Sequence, residues 1–345
     1  MDATAKVVEA LMRYGPRYSK ISRETGVPIP TVRYILTKRL PKMGFDVRAI
    51  LNYGALGLQK YLALLESSIS PHGMKGLLNL LGDIMYLNYY TYFMKAKKFM
   101  AIFTVPPKYE EDLNAFLNEL RLVGILKHYE LKKLKYARIL PFKARYFDFN
   151  KGVWRQNWTE NNEYVPEIFE EVDPHPRIDE IDLRILKELQ KDAYVKYVDL
   201  SRKLGLTRQT IKRHYEHVVK AIQMYAVLWF PPMNPELILT PIAVKFSDIE
   251  RSRHKVANIA FNYMELRTSD DEYYILMLLP SIEFYRTLKY LTERTSIEEI
   301  FFLNMEHTMA FTVHFNLFKN KVGWINPFRE GIQKIMEEIG LLFRT

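Results

Sequence analysis

The feature that most constrains the fold is that the chain is written twice. Residues 22–33, SRETGVPIPTVR, align with 201–212, SRKLGLTRQTIK, at a fixed offset of 179. Upstream, KVVEAL (6–11) matches RILKEL (184–189), and downstream FNKGVW (149–154) resembles KNKVGW (319–324). A repeat this long means two copies of one unit, each needing its own core. Apolar periodicity then gives the same order of elements in each copy. In the first, strands are expected at 58–68, 85–95, 98–106 and 125–134, with helices at 71–83 and 107–124. In the second, strands are expected at 237–247, 263–269, 272–280 and 299–308, with helices at 251–262 and 281–294. The predicted class is α+β: two winged helix-turn-helix heads and two ferredoxin-like (βαββαβ) domains in tandem. The boundaries are 1–46 for the first head, 47–154 for the first sheet domain, 155–177 for an acidic linker, 178–222 for the second head and 223–345 for the second sheet domain. A last helix at 326–343 carries the stripe Phe328, Ile332, Ile335, Ile339 and Leu342, expected to pack on the second sheet.

The second head explains its own charge. Residues 179–192 form an amphipathic helix with Ile181, Ile185, Leu186 and Leu189 on one face. A short helix follows and ends at Gly205, which suits a left-handed cap, and Thr207 can cap a third helix. A helix fits the major groove, and residues near its N-terminus meet base edges. Arg208 suits guanine and Gln209 suits adenine, while Thr210 suits a phosphate or a thymine methyl. Lys212 and Arg213 lie one turn on, and Ser201 and Arg202 can hold the phosphate backbone. The first head offers Thr31, Arg33, Tyr34 and Lys38 in the same places. Prolines at 28 and 30 leave it few base-reading donors, so its contacts are expected to position rather than to specify.

Net charge supports this reading. The chain carries +10, yet residues 160–182 hold nine acids against Arg177, leaving +18 on the remainder. That charge favours duplex DNA as partner. With no cysteine, no disulfide or thiolate metal site is available. No histidine spacing makes a zinc set, and no Gly-rich phosphate loop or nucleophile elbow occurs. The expectation is therefore no cofactor, no metal and no enzyme. No run reaches a membrane span, and the first 20 residues carry charges within their apolar stretch, so a cytoplasmic location is expected.

Two runs resemble a known family. IDEIDLRIL (178–186) and LSRKLGLTRQTI (200–211) resemble the helix-turn-helix of the Lrp/AsnC regulators of bacteria and archaea. The resemblance implies a DNA-binding transcription regulator whose sheet domains serve oligomerisation and effector sensing. Members usually have one copy, so the tandem implies an intrachain pseudo-dimer or a further homodimer, with heads ~34 Å apart for successive major grooves. A small-molecule effector is implied, although the glycine turn often near an amino-acid effector is not evident in either half. Lack of cysteine and abundant Lys, Glu, Tyr and Ile fit a thermophilic archaeal source. Siroheme decarboxylases resemble the same family in fold, which gives one alternative, with His128, His307 or His314 recruited for chemistry. A protein-interaction adaptor of the transcription machinery is another. Two further features have open readings. The basic stretch 127–145, with seven Lys/Arg against Glu130, is either a second phosphate surface or protection for a sheet edge. YLNYYTYF (86–93) either stacks single-stranded RNA or packs a sheet.

Overall fold

The computed structural model describes residues 2–160, 170–230 and 239–342. The chain opens with α1 (Ala3–Tyr14), α2 (Tyr18–Thr25) and α3 (Ile29–Tyr34), which runs through a π-helical turn into α4 (Leu40–Lys42). The Asp2 side chain caps α1, and Gly26 closes α2 in the left-handed region. Next come β1 (Phe45–Leu51), β2 (Gln59–Ser67), α5 (Pro71–Ile84), β3 (Leu87–Phe93), β4 (Lys98–Val105), α6 (Glu110–Leu122) and β5 (Leu126–Ile139). A small hairpin, β6 (Phe147–Asp148) and β7 (Val153–Trp154), ends this half.

The second half repeats the order. It has α7 (Glu180–Lys191), α8 (Tyr197–Leu204), α9 (Arg208–Val218), β8 (Ile222–Trp229), β9 (Leu239–Phe246), α10 (Ile249–Val256), β10 (Asn262–Thr268), β11 (Tyr273–Pro280), α11 (Phe284–Arg294) and β12 (Ile297–Ala310). A hairpin, β13 (Phe318–Lys319) and β14 (Gly323–Trp324), and α12 (Phe328–Leu342) close the described chain. The class is α+β, as expected.

The sheets do more than stack. Strands run β10-β11-β9-β12-β3-β4-β2-β5, and β5 pairs back with β10, so eight strands form one closed barrel. Closure removes the sheet edges, and an eight-stranded barrel is just wide enough to be filled by side chains. Leu62, Met100, Ile102, Leu266, Leu276 and Leu303 are among those that fill it. The outer faces are covered by helices, so β4 is buried along nearly its whole length. This explains the unbroken apolar run FMAIF.

Closure also resolves both sequence ambiguities. The basic stretch is largely β5 itself, and its cations meet acids across the β5–β10 seam. Lys132 lies 2.7 Å from Glu272 and 3.3 Å from Asp270, and Lys135 lies 2.5 Å from Asp271. It is thus neither a free phosphate surface over these residues nor a sheet edge. Tyr86, Tyr89, Tyr90 and Phe93 are buried, so the aromatic run packs the sheet.

Two strands not expected from sequence, β1 and β8, pair antiparallel from Phe45↔Trp229 to Leu51↔Ile222 and tie the two halves together. Residues 161–169, the middle of the acidic segment, lie outside the described residues. The described remainder is packed: Asp173 N–H donates to Gly54 O at 2.9 Å, and Glu170 meets Lys60 at 2.6 Å with both side chains over nine-tenths buried. The last helix departs from expectation. The Phe328 ring of α12 lies 5.7 Å from Phe116 of α6 and 6.0 Å from Tyr86, so α12 covers the first half instead of the second sheet.

Candidate nucleic-acid interface and ligand cavity

The second head is built as its residues dictate. Asp179 and Asp182 form a capping box at the start of α7. Gly205 ends α8 at φ 65°, ψ 29°, a conformation that costs glycine little. Thr207 Oγ1 accepts from Thr210 N–H at 3.2 Å and starts α9. Leu183, Ile185, Leu186, Leu189, Leu200 and Ile211 are fully buried between the three helices. The remaining face of α9 is left to solvent: Arg208, Gln209, Lys212 and Arg213 are all exposed. Among the described residues, the partner of Lys212 is a loose one, Glu216 at 3.9 Å. Arg202 is exposed too. Thr210 and Ser201 are half-buried and engaged locally, since Ser201 Oγ donates to Leu206 O at 2.5 Å.

Beneath this face, α9 is fastened to α7. His214 Nδ1 lies 2.8 Å from Asp182 Oδ1, and His217 Nδ1 lies 3.0 Å from Asp182 Oδ2. Asp182 is 2% exposed. In the first head, Thr31, Arg33, Tyr34 and Lys38 are exposed, and Tyr34 is 60% so. The helix that bears Thr31, Arg33 and Tyr34 is only six residues long.

A cavity of about 490 Å³ opens between α1, the 140–145 segment, α10, β10 and β11. Arg13, Lys143, Arg145 and Arg253 line it with positive charge, and Glu9 and Glu265 with negative. Its floor is a buried network. Glu265 accepts from Arg138 Nε at 2.6 Å, Arg253 Nε at 3.3 Å and the Tyr273 hydroxyl at 2.7 Å. Burial, and then the Glu265 carboxylate, push the Tyr273 phenol well above its ordinary range, so it stays a donor. Lys143 Nζ donates to Ala257 O. Asn262 is 8% exposed; its Nδ2 donates to Val256 O at 2.7 Å, while its Oδ1 accepts nothing among the described residues.

The matching place in the other half holds aromatic side chains. By strand register, Tyr90 stands where Glu265 stands and Met309 where Arg138 stands. The Phe311 ring lies 6.2 Å from Tyr90 and fills the space against Gly82, where a Cβ would overlap it. His314 Nε2 lies 2.9 Å from Gly82 O, and burial pushes its imidazole down to about 4. None of the three singled-out histidines lines the cavity: His128 is exposed on β5, and His307 sits between Tyr92 and Phe99.

Comparison with known proteins places these features. Residues 178–216 match the AsnC-type helix-turn-helix domain, so an AsnC-type head is present. The crystal structure of the siroheme decarboxylase NirDL is similar over 98% of this chain and 100% of that one, with 10% identity and a TM-score of 0.53. The same enzyme in co-complex with an iron-uroporphyrin III analogue gives a TM-score of 0.54 at the same identity and coverage. An AsnC family transcriptional regulator from Agrobacterium tumefaciens matches 39% of this chain and 95% of its own, with 20% identity and a TM-score of 0.31. No curated protein matches. The expectation of a chain with no enzymatic role does not stand: its full-length fold is similar to that of a siroheme decarboxylase. No helix among the described residues is long and apolar enough to cross a membrane.

Proposed function

We propose that the chain binds duplex DNA through the 178–216 head and acts in transcription regulation. The observation that carries this reading is the face of α9, which presents Arg208, Gln209, Lys212 and Arg213 to solvent with Arg202 nearby in the chain. Arg208 and Gln209, at the helix start, read base edges, and Lys212 and Arg213 hold phosphates or bases. Thr210 and Ser201 support this face from within the head. Thr31, Arg33, Tyr34 and Lys38 make the first helical unit a second, positioning contact, with the β1–β8 ribbon setting the distance between heads as an intrachain pseudo-dimer. Selection from a random duplex pool tests this. An enriched motif is expected, and a bound fraction no different from the input would count against base reading.

The cavity favours a second activity in the same chain. Its cationic lining, joined to a whole-chain fold shared with a siroheme decarboxylase, supports turnover of a tetrapyrrole bearing carboxylates. Arg13, Lys143, Arg145 and Arg253 pair with carboxylates, the charge-assisted contacts such a ligand offers. The Tyr273 hydroxyl and Glu265 hold the floor in place, and Asn262 Oδ1 is an acceptor without a donor among the described residues. The histidines are not assigned to this chemistry. Titration with iron uroporphyrin III, followed by its visible spectrum, tests the reading; saturable binding is expected, and an unchanged spectrum would refute it.

A further inference from the structure

We infer that the second head holds a divalent transition-metal ion between Asp179, Asp182, His214 and His217, riveting α9 to α7. Among the described residues, Asp179, Asp182 and His214 converge closely enough to share one ion. The two carboxylates stand three residues apart at the start of α7, and the two histidines three apart on α9, so each pair faces one way. His214 Nδ1 lies 2.8 Å from Asp182 Oδ1 and 3.7 Å from Asp179 Oδ1. His217 Nδ1 lies 3.0 Å from Asp182 Oδ2. Ligands bonded at about 2.0–2.1 Å in a tetrahedron stand roughly 3.3 Å apart, within the spread seen here. His217 stands outside that trio, on the other oxygen of Asp182, so its ring must move toward the ion to become the fourth ligand.

The donor set chooses the ion. Two imidazole nitrogens with two carboxylate oxygens suit zinc, cobalt or nickel, while magnesium and calcium take oxygen ligands. Two carboxylates neutralise the ion's charge. Nδ1 of each ring coordinates when the ring proton sits on Nε2. Access is open: a groove of about 420 Å³ reaches the cluster, bordered also by Arg177 and Arg213. Those two cations oppose the incoming ion, and Arg213 is exposed and free to swing toward solvent. Because α9 is the proposed DNA-reading helix, an ion here would also order that helix; this consequence alone rests on the DNA reading.

The test is a titration of the chelator-treated full chain with Co²⁺, read by its visible absorption, and with Zn²⁺ by calorimetry. One ion per chain is expected. His217→Gln should weaken it at least about tenfold, and Asp179→Asn likewise. Both sites are partly exposed, and circular dichroism checks that each variant folds. His254→Gln, at an exposed position of α10 remote in sequence from the head, should leave affinity unchanged. Absence of saturable binding, or affinity untouched by both head variants, overturns the site. Metal binding without DNA binding would sustain the site and defeat the DNA reading.

Discussion

Replacing His314 by Gln should remove a specific acid sensitivity. His314 is 5% exposed, its Nε2 reaches Gly82 O at 2.9 Å, and Tyr86 lies beside its ring at 6.1 Å. Burial is the main cause that holds its imidazole at about 4, against 6.5 for the free group. As pH falls, the unfolded chain takes up this proton near 6.5, whereas the folded chain resists until about 4. Stability is therefore intact above 6.5 and is lost progressively as pH falls toward 4. The full loss is about 3 kcal/mol, and at pH 5 it has reached about 2 kcal/mol. Gln carries an amide donor that can still reach Gly82 O and does not titrate. Urea unfolding at pH 7.5 and 5.0 measures the effect, because other titrating groups cancel between wild type and variant. The wild type should lose about 2 kcal/mol more than His314→Gln over that interval. Equal losses, within about 0.5 kcal/mol, would refute the claim that this histidine is buried neutral.

Gly82→Ala should destabilise by about 1–3 kcal/mol, since its methyl would overlap the Phe311 ring. Gly76→Ala in the same helix meets nothing within 4 Å and should stabilise by about 0.5–1 kcal/mol, both read by chemical unfolding. Arg13→Ala and Arg145→Ala remove exposed cations from the cavity rim, so each should weaken iron uroporphyrin binding roughly tenfold without lowering the unfolding midpoint.

Local pattern made much of this molecule legible. The capping residues Asp179, Thr207 and Gly205 act within a few residues of where they stand, so the second head could be read directly. The βαββαβ order also follows from periodicity along each segment. What stayed hidden depends on partners far away in the chain. β1 alternates buried and half-buried residues, but its partner β8 lies well over a hundred residues on. The cations of β5 leave two readings open in the sequence because their partners Glu265, Asp270, Asp271 and Glu272 come from the other half. The cavity draws Arg13, Lys143 and Arg253 from three separate segments, and no spacing brings them together. The i, i+3 pairs Asp179/Asp182 and His214/His217 stand on different helices, and only the packing of α7 on α9 joins them.

The central claim is that α9 engages duplex DNA, and its most direct test is affinity measured against salt concentration for wild type and for Arg208→Ala/Lys212→Ala. Each phosphate contact contributes about 0.9 to the slope of log affinity on log salt. The account predicts a steep slope for the wild type and, for the double variant, weaker binding with a slope shallower by about 1–2. Identical affinities and slopes for the two proteins would contradict it.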